Sequence, residues 1–324
     1  MSLSEFEIIE QYFRDLTGND DQVVLGIGDD AAVIAVPPGR QLVTSVDTLV
    51  GGVHFFFDTH PMDIGYKSLA VNLSDLAAMG ATPRWCLLSL SMQHQKQAWL
   101  EYFAQGFAAV AKEYNVSLVG GDLSRGLLSI TVQVMGLVDE DRFLTRAGAN
   151  AGDLIYISGT LGGPALAIKS LQSERDQYPP ASEQSMRRLN RPEPRIELGK
   201  ALAGIASACI DISDGLTADL GHILKQSGKG AEVNVAKIPV SEDVQQTEDP
   251  NRLYQLVLAG GDDYELCFTV PEDQVGELDA IQSSHEIALT CIGRVMDGTT
   301  IKWIREAGSE IAIPEQGYEH SLLK

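Results

Sequence analysis

Apolar and polar residues alternate with a period of two through QLVTSV (41–46) and LLSITVQVMGLV (127–138), as half-buried strands require. Between them, residues 66–79 and 97–114 carry apolar side chains at helical spacing, which predicts two helices. Gly80 suits the position just past the first helix, and Pro83 discourages its continuation. Further on, DLIYISG predicts a strand, and TLGGPALAIKSL predicts a glycine turn into a helix with Pro164 near its first position. ACIDIS reads as a strand, DGLTADLGHILKQ as a helix, and NRLYQLVLAGGDDYELCFTV as helix, glycine turn and strand. Strands and helices intermix throughout, so the class is α/β (α+β). The polar stretch DEDRFLTRAGANAG (139–152) marks the domain boundary, giving domains 1–138 and 139–324. Residues 172–195, rich in charge and proline, are expected to be the least ordered.

A length of 324 residues accommodates two such domains at about 150 residues each. It can bury a core without disulfides or a structural metal. Cys86, Cys209, Cys267 and Cys291 sit apart in apolar stretches, with no C-x-x-C pair, and read as reduced buried thiols. No apolar run reaches the roughly 18 residues of a membrane span. The start, MSLSEFEIIEQYF, carries acids where a signal peptide needs bases. A soluble cytoplasmic protein is expected. Its charge is the unusual feature: 45 acids against 24 bases give −21. Such a surface repels nucleic acid and anionic lipid, so neither a nucleic-acid nor a membrane partner is expected.

A subset of the acids follows glycine or ends an apolar run: Asp29 and Asp30, Asp47, Asp122, Asp211 and Asp214, Asp262 and Asp263. Glycine there lets backbone approach a ligand, and the short Asp side chain suits a hard cation. One such turn alone is more simply structural, since Asp stabilises turns by itself; five or six in one chain point to a site. Asp75 differs. It lies on a helix whose apolar residues Leu69, Ala70, Leu73, Leu76, Ala77 and Met79 cover most of the surface, sharing a stripe with Asn72 and Ser68. It reads as a metal ligand or as part of a narrow solvated face. His54 follows Asp47 closely but also borders Phe55–Phe57, so a packing role is equally open. His60, His94, His222, His285 and His320 have no ligand-like spacing, and a zinc site is not expected.

There is no G-x-x-x-x-G-K-[ST] loop, no G-x-G-x-x-G after a strand, and no G-x-S-x-G elbow. SGTLGGPAL could bring helix-terminal N–H groups to an anion, or simply connect strand to helix. An acidic chain repels a polyphosphate directly but can bind one through several Mg²⁺ ions bridging carboxylates and phosphate oxygens. An acceptor that is itself a phosphate monoester is largely ionised at neutral pH and needs no general base.

In order, GIGDDAAV, TSVDTLVGGVHF, KSLAVNLSDLAAMGATP, LVGGDLSRG, LTRAGANAGD, IDISDGLTADLGHI and AGGDDYELCFTV resemble the thiamine-monophosphate kinase family, over about residues 5–320. That family belongs with aminoimidazole ribonucleotide synthetase and selenophosphate synthetase. The resemblance implies ATP-dependent phosphorylation of thiamine monophosphate to thiamine diphosphate by direct transfer. It also implies a homodimer built through the N-terminal α/β domain, which binds ATP and Mg²⁺, and a C-terminal α/β domain completing the site. By motif, Asp30, Ser45, Val46 (through its carbonyl), Asp47, Asp75, Asp122, Asp211 and Asp214 would hold Mg²⁺. Gly121, Asp122, Arg146 and Ser213 would contact ATP, and His54, Asp262 and Tyr318 the thiamine phosphate. No catalytic base or covalent nucleophile is implied. The family pattern often has Glu where this chain has Asp262; the shorter acid would reach through water, or Asp263 would substitute.

Two alternatives remain. One is a related enzyme with a different acceptor, although a selenide enzyme should carry a reactive Cys near its start and none precedes Cys86. The other is a non-catalytic ATP·Mg binder; a calcium buffer is disfavoured because no D-x-[DN]-x-[DN]-G loop occurs.

Overall fold

The computed structural model describes residues 4–18, 20–93, 96–172, 177–305 and 309–311. The chain forms two compact units, residues 1–76 with 81–141, and residues 77–80 with 142–324. In the first, a four-stranded sheet has the order β3 (Arg40–Val50), β6 (Ser129–Asp139), β4 (Thr82–Met92), β5 (Ser117–Arg125). The β4–β5 pair is parallel and the others are antiparallel. Cys86, Leu88 and Leu90 alternate with more exposed residues and pair with Val134, Val132 and Ile130, so one face is apolar. On the opposite face, Trp85, Val119, Met135 and Leu137 form a smaller cluster. It is edged by Val23 and Ile34 of the short β1 (Val23–Leu25) and β2 (Val33–Ile34). A first helix, α1 (Glu5–Tyr12), precedes them with Ser4 and Glu7 forming a reciprocal cap.

Helix α2 (Pro61–Ala78) is buried on nearly every side, with Leu69, Leu73 and Leu76 fully enclosed. It crosses α3 (Gln97–Glu113) where Gly65 meets the Phe103 carbonyl and Gly106 meets the Met62 carbonyl. A side chain at either glycine would force the helices apart.

The second unit is built on a six-stranded sheet, order β12-β9-β11-β7-β10-β8, antiparallel except for β12–β9. The strands are β7 (Leu154–Ser158), β8 (Ala208–Asp211), β9 (Gly230–Asn234), β10 (Leu266–Val270), β11 (Leu289–Met296) and β12 (Ile301–Ile304). The helices are α4 (Gly163–Leu171), α5 (Glu183–Asn190), α6 (Ile196–Leu202), α7 (Leu216–Ser227), α8 (Pro250–Leu258) and α9 (Gly276–His285). Ile155, Ile157 and Ile210 from the strands pack with Leu216, Leu220, Ile223 and Leu256 from the helices in one core. No described helix is long and apolar enough to cross a membrane. Cys86, Cys209 and Cys267 are buried and Cys291 half-buried, all as free thiols.

Pro83, past the end of α2 as expected, stands second in β4, where its missing N–H costs little. Two elements depart from the sequence pattern. The GGD of residues 120–122 is not a turn; it lies within β5, and Gly121 is needed because a side chain there would strike the Leu88 carbonyl of β4. Within 172–195, residues 183–190 form α5, capped by Ser182 accepting the Ser185 N–H (3.1 Å).

Gly106→Ala gains about 1 kcal/mol of helix propensity but overpacks the α2–α3 crossing, which costs about 1–3 kcal/mol or more. The expected result is a lower Tm in thermal denaturation. An unchanged or higher Tm would show that the crossing can relax.

Candidate active site

In the first unit the site residues lie along a polar seam where α2 meets β3. The Ser45 hydroxyl donates to Asp75 Oδ2 (2.6 Å). The Asp47 N–H donates to Asn72 Oδ1 (2.9 Å), while Asn72 Nδ2 donates to the Ser68 carbonyl (2.9 Å). Asn72 and Ser68 are fully buried, and Asp75 is half-buried at the seam's mouth. A buried amide bonded on both sides is fixed, so Asn72 sets where the Asp47 backbone lies. Asp75 is thus not on a solvated face. At the far end, His54 Nδ1 accepts the Val50 N–H (2.9 Å) and buried Lys67 donates to the His54 carbonyl (3.4 Å). In the neutral ring this leaves the proton on Nε2.

Other predicted residues of this unit fall elsewhere. Val46 has its side chain exposed on β3. Asp122 pairs with Ser89, which pairs with Thr131, which pairs with Thr48. Strand alternation therefore sets Asp122 on the opposite face of the sheet from Asp47. Asp30 is exposed, its N–H bonded to Asp29 Oδ1 (2.9 Å). Among the described residues, no three His, Cys, Asp or Glu side chains gather as a metal cage.

The second unit holds the remaining acids in two adjoining loops. Asp211 ends β8, 4% exposed, followed by the turn through Ser213, Asp214 and Gly215 into α7. Asp219, in the first turn of α7, accepts the N–H groups of Ser213, Asp214 and Gly215 on one oxygen, each at 3.1 Å. Burial, reinforced by the charges of Asp211 and Asp214, pushes the Asp219 carboxyl up to about 8. The neighbouring loop joins α8 to β10. The Asp262 N–H donates to the Ser213 carbonyl (2.9 Å) and the Tyr264 N–H to the Ile212 carbonyl (2.8 Å). Asp262 and Tyr264 both have positive φ, 66° and 50°, and the Tyr264 hydroxyl donates to Asp262 Oδ1 (3.0 Å). The half-buried Asp262 side chain is therefore held beside the Ser213 turn.

Asp263, by contrast, is buried. Its carboxylate accepts the Gly162 N–H at 3.0 and 3.2 Å and lies 3.9 Å from Arg188. It is engaged in the fold and does not stand in for Asp262. The same bond answers the glycine turn of SGTLGGPAL: the anion at the start of α4 is the protein's own carboxylate. Arg146 is exposed on a segment whose Thr145 carbonyl accepts the Cys209 N–H (2.8 Å), alongside β8. Tyr318, like His94 and His320, lies outside the described residues.

Sequence reasoning missed Asp219, Glu265, Arg188 and Arg195. Asp219 stood inside the DGLTADLGHI motif, four residues past Gly215 as a capping acid should be, and spacing alone could have found it. The other three meet across the fold and leave no local signal. The donors brought together are oxygens throughout: Asp75 and Ser45 in one unit, Asp211, Asp214 and Asp219 in the other. The Thr217 hydroxyl at the latter turn is buried without a hydrogen-bond partner. Oxygen donors and an unpartnered hydroxyl suit a hard divalent cation rather than zinc or another soft metal, although no three of the described acids gather as a cage.

Comparison with known proteins finds relatives along the whole chain. The AIR synthase related protein N-terminal domain family matches residues 28–138, and the C-terminal domain family matches residues 150–304. Thiamine-monophosphate kinase of Escherichia coli K12 is 43% identical over 323 residues, covering 99% of each chain. The crystal structure of thiamine-monophosphate kinase from Stenotrophomonas maltophilia K279a is 44% identical with a TM-score of 0.85, covering 94% of this chain and 97% of that one. AaThiL, solved in complex with AMPPCP and TMP, is 31% identical with a TM-score of 0.76, covering 99% of both chains. Identity at this level over the whole chain leaves one conclusion: the chain belongs to the thiamine-monophosphate kinase family.

Proposed function

We propose that the protein transfers the γ-phosphoryl group of ATP to thiamine monophosphate, giving ADP and thiamine diphosphate, by direct in-line displacement assisted by several Mg²⁺ ions. The observation that carries this reading is the set of oxygen donors, Ser45 on β3 with Asp75 on α2 and Asp211 with Asp214 at the entry to α7, in a chain related throughout to such kinases. The relative complexed with AMPPCP and TMP supports both substrates.

A phosphate oxygen of the acceptor attacks the γ-phosphorus while the bond from that phosphorus to the β–γ bridging oxygen breaks, and ADP leaves with the electron pair. The acceptor monoester is largely ionised at neutral pH, so no side chain has to remove a proton. Bound Mg²⁺ would screen the repulsion between two anionic phosphates and withdraw charge from the transferred group. Asp30, Ser45, Asp47, Asp75, Asp122, Asp211 and Asp214 would hold it, with Val46 contributing its carbonyl. Gly121, Asp122, Arg146 and Ser213 would bind ATP, the exposed Arg146 guanidinium serving its phosphates. His54, whose Nδ1 is fixed by the Val50 N–H, and Asp262 would bind the thiamine phosphate. Tyr318 would join them. The same reading takes the protein as a cytoplasmic homodimer, supported by the open edge of β3 and its exposed Leu42 and Val46.

Phosphorus NMR of the purified protein with ATP, Mg²⁺ and thiamine monophosphate tests the reaction. The expected outcome is loss of the monoester signal with growth of diphosphate signals from ADP and thiamine diphosphate. Intact ATP, or ATP hydrolysed with the monoester untouched, would contradict it. Asp75→Asn should remove turnover, by about two orders of magnitude or more, while leaving the melting temperature close to the parent's. Near-normal turnover at saturating Mg²⁺ would take Asp75 out of the metal site.

A further inference from the structure

Behind Asp262 lies an ion cluster that the reaction as described does not use. Glu265, immediately before β10, is 1% exposed. Arg195 grips it with two prongs, Nε to Oε2 at 2.8 Å and Nη2 to Oε1 at 2.6 Å. Arg188 Nη2 donates to the same Oε1 (3.1 Å), and the Ser158 hydroxyl donates to Oε2 (2.6 Å). Arg188 also reaches the Thr160 carbonyl (2.9 Å), the Thr160 hydroxyl (3.0 Å) and the Asp263 carbonyl (3.3 Å). With the Asp263 carboxylate 3.9 Å away, two guanidinium groups balance two buried carboxylates.

Such a cluster is a poor source of stability, because desolvating four charges consumes most of what their attraction returns. It is a good source of fixed geometry, since a two-pronged guanidinium–carboxylate contact tolerates little displacement. What it fixes is adjacent. Asp262 and Tyr264 flank Asp263, and both are held in the left-handed region that L-residues avoid at a cost of roughly 1–2 kcal/mol each. Arg188 holds the Asp263 carbonyl between them and Arg195 holds Glu265 just beyond. The Ser213 turn has its own fastening in the Asp219 carboxylate, and the Asp262 and Tyr264 N–H groups join the two loops through the Ser213 and Ile212 carbonyls.

We propose that Arg188 and Arg195, through Glu265 and the Asp263 backbone, are positioning residues that hold Asp262 for the acceptor substrate, thiamine monophosphate, a role distinct from Asp219's hold on the Ser213–Asp214 turn. The inference rests on the reading of Asp262 as an acceptor contact.

The test compares Arg195→Met, Arg195→Lys and Asp262→Asn in the full-length protein, measuring kcat, KM for each substrate and the melting temperature. Arg195→Met is expected to raise KM for thiamine monophosphate roughly tenfold or more, with KM for ATP moving less than about threefold. Arg195→Lys, which keeps the charge but loses the two-pronged grip, should fall between parent and Met variant. Should Arg195→Met fail to fold, Arg195→Lys carries the same comparison. Equal rises in both KM values, or no rise in either, while Asp262→Asn still raises the acceptor KM, would overturn the positioning role alone. An unchanged acceptor KM in Asp262→Asn would overturn the acceptor reading and the proposal with it.

Discussion

A carboxylate withdrawn from water must be met by donors or by a cation, and this protein is organised around that demand. Asp219 takes three consecutive N–H groups at the start of α7, and Asp263 takes the Gly162 N–H at the start of α4. Glu265 takes two arginines and a serine. Helix N-termini and glycine turns, which in many phosphate-binding proteins are left open for the ligand, are here filled by the chain's own acids. A phosphate arriving at these turns meets carboxylates. On the proposed reading, it stays because cations arrive with it.

This constraint explains why so acidic a chain, at −21, can belong to a family of kinases. Burial, reinforced by the charges of Asp211 and Asp214, pushes the Asp219 carboxyl up to about 8. The polar seam of the first unit has the same character on a smaller scale: Asp75 sits at the mouth of an otherwise enclosed helix, with Ser45 as its hydroxyl partner. In each unit rigid elements hold the acids, so the geometry precedes the ligand.

Much of the fold was legible because its signals are local. Alternation found β3 and β6, helical spacing found α2 and α3, and glycine turns found the entries to α4 and α7. The Ser68, Asn72 and Asp75 stripe was visible as polar positions on an apolar helix, and the structure turns it toward Ser45 and Asp47. What failed depended on distant partners. Asp122 looked like a turn acid, yet β4 captures residues 120–122 as strand, because Gly121 permits close approach to Leu88. Residues 172–195 were expected to be the least ordered for their charge and proline, but Arg188 and Arg195 spend their charge on Glu265, 77 and 70 residues away. Charge density in a sequence does not distinguish a wet surface from one side of a buried pair.

If its acids serve divalent cations, this protein binds polyphosphate only together with them. Isothermal titration of the purified protein with a non-hydrolysable ATP analogue, in Mg²⁺ and then in EDTA, tests it most directly. Saturable binding in Mg²⁺ and none detectable in EDTA is the expected result. Comparable affinity in both would contradict it, because the acids would then be making room for phosphate without the cations that justify them.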